Sequence, residues 1–188
     1  MPVAAASRIG VAAAVVDDVV GIQDGRSGPL ATGDGVFENQ VVRTGADINM
    51  ADLPVPTVFE LDSGAFITAA VGISRNPRTG KLNVGIYRTL ILGRNIVAVN
   101  ASSLSDLRKF YQHAEKTGEP MPIALALGVE PALQMAASCK LPPDQSELEL
   151  AGALQGKAID LVKCETSDLL VPANAEMSIE GRVDSSRK

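Results

Sequence analysis

The sequence predicts an α+β domain in which several antiparallel strands are accompanied by scattered helices. Two apolar segments at 65–75 and 83–93 flank NPRTGKL, whose proline and glycine are typical of a hairpin loop. The segment 103–118 carries apolar residues at helical spacing and ends at Gly118, a typical helix stop. Because strands and helices do not alternate regularly and no internal repeat is present, we expect α+β or a β-barrel with helical crossovers.

Before the hairpin, the sequence predicts a helix, a linker and a strand. Residues 7–21 are alanine-rich, begin at a serine and end at a glycine, which predicts a helix. Residues 24–35 are rich in Gly, Asp, Ser and Pro, which favours a flexible linker and marks the best candidate for a domain boundary. Residues 36–43 are interpreted as a short strand, and the turn-rich segment 45–56 as an irregular connection.

After the hairpin, the pattern predicts shorter elements on both sides of the main helix. Pro131 would lie in the first turn of a short helix, where proline is tolerated. The predicted elements are strands at 94–101 and 121–129, short helices at 130–139 and 142–154, and strands at 158–165 and 175–183.

Charge and composition exclude several classes of function. The net charge is −5, aromatic residues make up 3% and Trp is absent, so the chain lacks the basic surface and stacking platforms that nucleic acid requires. The apolar N-terminal run has no basic segment before it and is too short to span a bilayer, so we expect a cytoplasmic protein without a membrane partner. Cys139 and Cys164 do not suffice for a disulfide scaffold or a zinc site, and each is interpreted as a small buried apolar residue.

Two polar residues stand out in the apolar segment NVGIYRTLILG. In a regular strand Asn83 and Arg88 point to opposite faces, and Arg88 shares its face with apolar residues. A charge there is unfavourable unless it is paired or meets an anion, and arginine suits a planar anion contact. The alternative is an edge-strand arginine that reaches out to water. If both residues serve one site, Gly85 would mark a bulge that re-aims the strand.

Other candidate residues occur in two charged segments. Glu147 and Glu149 lie in SELELAGAL, and Lys163, Glu165 and Asp168 follow a predicted buried strand. On pattern alone, the favoured explanations are a solvated helix face for the first segment and a charged strand end for the second. The single histidine, His113, has polar neighbours and is expected to face water, which excludes a histidine-rich metal site and disfavours a Ser-His-Asp triad.

Four stretches, taken together, resemble the UbiD family of decarboxylases. They run in the family's order over roughly residues 38–181, and NVGIYR and LVKCETSDLLVPANAE are the most specific parts. The stretches are NQVVRTGADINMADLPVP, FITAAVGISRNPRTGKLNVGIYRTLILGRN, GEPMPIALALGVEPAL and PPDQSELELAGALQGKAIDLVKCETSDLLVPANAEMSIEG.

The resemblance implies the family's central cofactor-binding domain, a split β-barrel like that of flavin reductases with peripheral helices. The expected division is an N-terminal helix and linker at 1–35, the split-barrel domain at 36–183 and a tail at 184–188. Family enzymes use prenylated FMN to remove or add carbon dioxide on aromatic or α,β-unsaturated carboxylic acids. The implied function is therefore that of a UbiD-like (de)carboxylase component.

The resemblance also implies roles for four residues. Asn83 and Glu147 match family ligands of a divalent metal such as Mn²⁺ or Mg²⁺ that binds the cofactor phosphate. Arg88 matches the catalytic arginine at the reacting face of prenylated FMN or FMN, and Lys163 would lie near the phosphate. Amide and carboxylate oxygens suit such a metal, and an arginine can hold a substrate carboxylate.

The chain departs from the family pattern in two places. The family's third metal ligand, a histidine, has no counterpart in VNASSLSDLRK, where Ser103 or Leu104 stands near the expected position. The C-terminal domain and its proton-donating glutamate pair are also missing, so the chain is not expected to be active alone. We expect a partner subunit that carries this domain, or a homo-oligomer. The alternative is a non-catalytic flavin-binding or protein-interaction subunit with a decayed site.

Overall fold

The computed structural model describes residues 11–22, 40–142 and 145–183. The strands are β1 (Val11–Ile22), β2 (Gln40–Thr44), β3 (Phe66–Ile67), β4 (Val71–Arg75), β5 (Leu82–Ile86), β6 (Thr89–Gly93), β7 (Ile96–Asn100), β8 (Met121–Leu127), β9 (Leu161–Lys163), β10 (Leu170–Pro172) and β11 (Met177–Val183). The α-helices are α1 (Asp106–Thr117), α2 (Pro131–Ala137) and α3 (Glu147–Gln155). No helix in these ranges has the length and apolar character needed to cross a membrane.

The strands build one large antiparallel sheet, which confirms the α+β prediction. Its order is β3-β6-β7-β1-β11-β8-β4-β5, with β2 pairing to β1, and β9 and β10 form a separate ribbon. Within the described ranges, β3 and β5 end this order and are not paired with each other. The pairing therefore shows no closed barrel, and the split barrel stays a prediction.

The helix predicted at 7–21 was wrong over the residues that the structure describes. Residues 11–22 form strand β1, which pairs with β7 and β2 along one edge and with β11 along the other. Backbone hydrogen bonds to three neighbouring strands, together with the strand preference of the valines, outweigh the helix preference of the alanines. The predicted linker at 24–35 lies outside the described residues.

The hairpin at NPRTGKL is confirmed, but each of the two long flanking strands is divided. The predicted strand 65–75 forms β3 and β4, and the predicted strand 83–93 forms β5 and β6. The second division falls at Tyr87 and Arg88, after which the chain leaves β4 and pairs with β7 instead. Because β4 and β5 stay in regular register through Gly85, the proposed bulge at that residue is not present.

The sheet separates two hydrophobic clusters, as the alternation along β8 shows. Ile123 and Leu125 join the cluster beneath α1, whereas Ala124 and Ala126 join the cluster beneath α2 and α3. Helix α1 begins after the N-cap Ser105, and it ends at Gly118, as predicted, in the left-handed conformation. The N-termini of α1 and α3 are thereby fixed by packing on opposite faces of the sheet.

Candidate functional site

Asn83 lies on β5, where its side chain is 8% exposed and held by two hydrogen bonds. Its Nδ2 donates to the Oγ of Ser74, the residue opposite on β4, at 3.3 Å. The same Nδ2 donates to the hydroxyl of Tyr87 at 3.1 Å. Both amide protons are therefore engaged, while Oδ1 accepts no hydrogen bond from the part of the chain that the structure describes.

Tyr87 lies over a pair of glycines that face each other across β4 and β5. Gly72 and Gly85 are in register, and a Cβ at Gly85 would come within 2.7 Å of the Tyr87 hydroxyl. A Cβ at Gly72 would meet the ring at 2.5 Å, so the ring occupies space that only glycine leaves. Burial raises the pKa of Tyr87, and the Asn83 side chain and the backbone N–H of Leu107 in α1 oppose this shift.

Glu147 reaches the same place from the first turn of α3. The helix is capped by Ser146, whose hydroxyl accepts a hydrogen bond from the N–H of Leu148. The Oε2 of Glu147 accepts the N–H of Val84, next to Asn83, at 3.4 Å. Burial raises the pKa of Glu147, and the hydrogen bonds from its own N–H and that of Val84 oppose this shift. Ser74, Asn83, Tyr87 and Glu147 are called the Asn83 cluster below.

Arg88 does not lie on the buried face of a strand, so that expectation was wrong. It lies between β5 and β6, and its side chain is exposed. This agrees with the alternative interpretation, in which the arginine reaches out to water. Its guanidinium carbon lies 5.2 Å from the centroid of the Phe66 ring. No carboxylate of the described residues forms an ion pair with it, so the guanidinium is open to an anion.

Lys163 is placed differently, by an exposed ion pair at the end of β9. Its Nζ lies 2.6 Å from Oδ1 of Asp168, and this hydrogen bond raises the pKa of Lys163 and lowers that of Asp168. Arg75 ties this turn to the β4–β5 hairpin by donating to the carbonyl oxygens of Asp168 and Gly80 at 2.6 and 2.7 Å. No described contact joins Lys163 to the Asn83 cluster, and its role at a cofactor phosphate stays a prediction.

The other candidates are separate from this site. Glu149 and Glu165 have exposed side chains, and His113 is half-buried in α1. Cys164 is buried as predicted, but Cys139 is exposed because it follows the last turn of α2. In the described ranges, no three His, Cys, Asp or Glu side chains converge to hold a metal ion.

Glu180, on β11, is a buried acid that the sequence pattern did not reveal. Only 2% exposed, it accepts hydrogen bonds from the N–H of Glu165 at 3.1 Å and from the N–H and hydroxyl of Thr166 at 2.8 and 2.7 Å. Burial together with the charge of Glu180 raises the pKa of the Cys164 thiol to about 12. Residues 164–169, held by Glu180, are called the Glu180 turn below.

The chain belongs to the UbiD family. The family model of the 3-octaprenyl-4-hydroxybenzoate carboxy-lyase Rift-related domain matches residues 30–188. This match covers most of the chain, including every residue of the Asn83 cluster and Arg88. It confirms the resemblance seen in the sequence.

Solved structures of UbiD-class enzymes share this fold. The chain is 40% identical to HmfF from Pelotomaculum thermopropionicum in complex with prFMN, at a TM-score of 0.70 over 73% of this chain and 32% of that one. It is 34% identical to the vanillic acid decarboxylase ShVdcCD of Sedimentibacter hydroxybenzoicus in closed form, at a TM-score of 0.71 over 74% and 31% of the two chains. An uncharacterized protein of Aquifex aeolicus (strain VF5) is 40% identical over 138 residues, which are 73% of this chain and 28% of that protein. The chain thus spans about a third of the length of the relatives it matches.

Proposed function

We propose that this chain is the cofactor-binding component of a UbiD-like (de)carboxylase, which binds prenylated FMN and acts on an aromatic or α,β-unsaturated carboxylic acid. The observation that carries the proposal is the convergence of Asn83 and Glu147 from β5 and α3, each with oxygen sites left open. The structures of HmfF with prFMN and with FMN support the choice of cofactor.

The donor set of the Asn83 cluster fits a hard divalent cation such as Mn²⁺ or Mg²⁺. Oδ1 of Asn83 is free of hydrogen bonds from described residues, and Glu147 is a half-buried carboxylate in no ion pair with them. Magnesium is usually bound through one or two carboxylates together with substrate phosphates and water. Asn83 and Glu147 would hold the ion against a cofactor phosphate, and water would complete the coordination where the family histidine is missing.

Arg88 is proposed to bind the substrate carboxylate. The guanidinium presents a planar, permanently charged fork that suits two parallel hydrogen bonds to a carboxylate. Its position against Phe66 limits the orientations of that plane, and its exposure leaves the other face accessible. When bound, prenylated FMN supplies the electrophilic group that makes loss of carbon dioxide feasible.

The proton that completes decarboxylation is proposed to come from a glutamate of another chain. No acid of residues 40–142 and 145–183 forms an ion pair with Arg88, so we look outside these residues for the group that performs this step. A separate partner subunit with this carboxylic acid would complete the site, and homo-oligomerisation is the alternative arrangement.

The test is copurification with the cofactor. The chain produced together with a flavin prenyltransferase is expected to carry a yellow chromophore with one flavin per chain. Asn83→Ala should reduce this occupancy, whereas Asn100→Ala, which removes an amide from β7 outside the Asn83 cluster, should not. A colourless protein that also fails to bind added FMN would rule the proposal out.

A second candidate is a non-catalytic flavin-binding or protein-interaction subunit. It is favoured by Leu104, which is 74% exposed near the place where the family carries its metal-binding histidine. Adding a candidate partner subunit to the flavin-loaded chain distinguishes the two, since only the first proposal expects turnover of an aromatic or unsaturated acid.

A further inference from the structure

We propose that Tyr87 is a positioning residue that orients the Asn83 amide so that its oxygen, not its nitrogen, faces the metal and phosphate. The inference rests on the proposed function for the identity of the ligand, because Oδ1 is the atom that a cation would contact. The hydrogen bond between Tyr87 and the Asn83 amide does not depend on the identity of that ligand.

The orientation of an asparagine amide is decided by its hydrogen-bond partners. In this structure Nδ2 has two acceptors, the Oγ of Ser74 and the hydroxyl of Tyr87, at 3.3 and 3.1 Å. With both N–H groups directed inward, Oδ1 must point in the opposite direction. Half a turn of the amide would aim two N–H donors at a cation, which repels them.

The Tyr87 hydroxyl can hold the amide because it is itself held on two sides. On the sheet side, Gly72 and Gly85 leave the space in which its ring lies, and a Cβ at either position would come within 2.7 Å of it. On the helix side, the backbone N–H of Leu107 in α1 opposes the rise in the pKa of Tyr87 that burial causes, which places this end of α1 beside the hydroxyl. The Tyr87 ring, confined over the glycine pair, thus keeps its hydroxyl where it accepts a hydrogen bond from Nδ2 of Asn83.

Residues that orient a metal ligand through hydrogen bonds change affinity without touching the metal. Removal of such a partner typically weakens metal binding by about 10- to 100-fold. Tyr87→Phe keeps the ring over the glycine pair and removes only the oxygen, so the fold should persist. The other tyrosine, Tyr111, is a buried residue of α1 and provides the matched control.

The first experiment measures Mn²⁺ binding to the full chain by electron paramagnetic resonance. We expect about 10- to 100-fold weaker binding for Tyr87→Phe and unchanged binding for Tyr111→Phe. Gly85→Ala, whose Cβ would press on the Tyr87 hydroxyl, should resemble Tyr87→Phe, whereas Gly93→Ala has open space around its Cβ and should resemble the wild type.

The second experiment follows the Asn83 side-chain NH₂ signals by ¹⁵N NMR, without metal or flavin. We expect slow hydrogen exchange in the wild type and faster exchange, with a shifted signal, in Tyr87→Phe. Equal Mn²⁺ affinity of wild type and Tyr87→Phe, or unchanged Asn83 signals, would overturn the inference. A wild-type chain that binds no Mn²⁺ contradicts the proposed metal site instead, and the NMR result still decides whether Tyr87 holds the amide.

Discussion

The Asn83 cluster and the Glu180 turn are both built around a buried polar side chain, but their hydrogen bonds are completed to different degrees. Glu180 receives two backbone N–H groups and a hydroxyl, which use three of the roughly four acceptor sites of a carboxylate. Asn83 uses both of its donors and leaves its acceptor open. Glu147 receives only two backbone N–H groups.

This difference separates a structural role from a binding role. A carboxylate whose acceptor sites are filled by its own chain stabilises a turn and has little capacity left for a ligand. The proposed binding role of Asn83 and Glu147 requires oxygens with unused acceptor sites, which both side chains have among the described residues. The number of acceptor sites that hydrogen bonds already use therefore helps to distinguish a structural residue from a candidate binding residue, which burial alone does not.

The largest expected effect is loss of stability when Glu180 is replaced. Glu180→Ala leaves the donors of the Glu180 turn without acceptors, and we expect the free energy of unfolding to fall by about 3 kcal/mol. Urea denaturation measures the change. Glu180→Gln keeps one carbonyl acceptor, so its free energy of unfolding should fall by less. An equal decrease for both variants would contradict the hydrogen-bond explanation.

Thiol labelling gives a second measure of how Glu180→Ala affects the Glu180 turn. In the folded chain a thiol reagent should modify the exposed Cys139 rapidly and the buried Cys164 slowly, because only the exposed thiol is accessible. Glu180→Ala should make both cysteines reactive as the turn loosens. Rapid labelling of both thiols in the wild type would mean that the Glu180 turn opens freely.

The next largest effect is expected at Arg88, the residue that is proposed to bind the substrate carboxylate. Arg88→Ala should weaken binding of an aromatic carboxylic acid to the flavin-loaded chain by about tenfold, as expected for the loss of one charged hydrogen-bonding partner. Calorimetry measures the affinity. Arg88→Lys keeps the charge but lacks the planar guanidinium, so it should retain only part of the affinity for the acid. Unchanged affinity in Arg88→Ala would remove Arg88 from the site.

A smaller effect is the pH dependence that Glu147 introduces. Burial raises the folded-state pKa of this carboxyl above its ordinary value of 4.5, so its contribution to stability is full below the unfolded pKa and is lost as pH rises through the folded pKa. Mn²⁺ affinity should change in the opposite direction and increase as the same carboxyl deprotonates. Glu147→Gln should flatten both profiles in the pH range above 4.5, and an unchanged Mn²⁺ profile would exclude Glu147 as a ligand.

The smallest effect is expected at Lys163. Its ion pair with Asp168 is exposed, and exposed pairs contribute little to stability. Lys163→Ala should therefore leave the urea midpoint unchanged, in contrast to Glu180→Ala. FMN binding to Lys163→Ala tests the cofactor prediction directly. If Lys163 contacts the phosphate, the variant should bind FMN more weakly at low salt; if Lys163 only pairs with Asp168, the FMN affinity should not change.

Much of the fold was predictable because it depends on local patterns. The hairpin, helix α1 with its two caps and strand β8 follow from turn residues and apolar spacing. The segment 11–22 was assigned wrongly because its strand pairs with elements far along the chain, which no local pattern reveals.

The candidate site was predictable only in part. Asn83 and Glu147 were found through the family resemblance, and their convergence follows from the packing of α3 beside β5. The position of Arg88 was missed because the strand ends before it, and Glu180 was missed because its partners belong to a turn distant in sequence. The facing pair Gly72 and Gly85 was the available signal for Tyr87, and it becomes visible once the hairpin register is known.

The place of Tyr87 in the Asn83 cluster also gives this protein an internal optical reporter. The chain contains no tryptophan and two tyrosines, so Tyr111→Phe leaves Tyr87 as its sole intrinsic fluorophore in the ultraviolet. Its emission would be quenched by a flavin or a paramagnetic ion held beside Asn83. Ligand binding at this site can therefore be followed by fluorescence without attaching any dye.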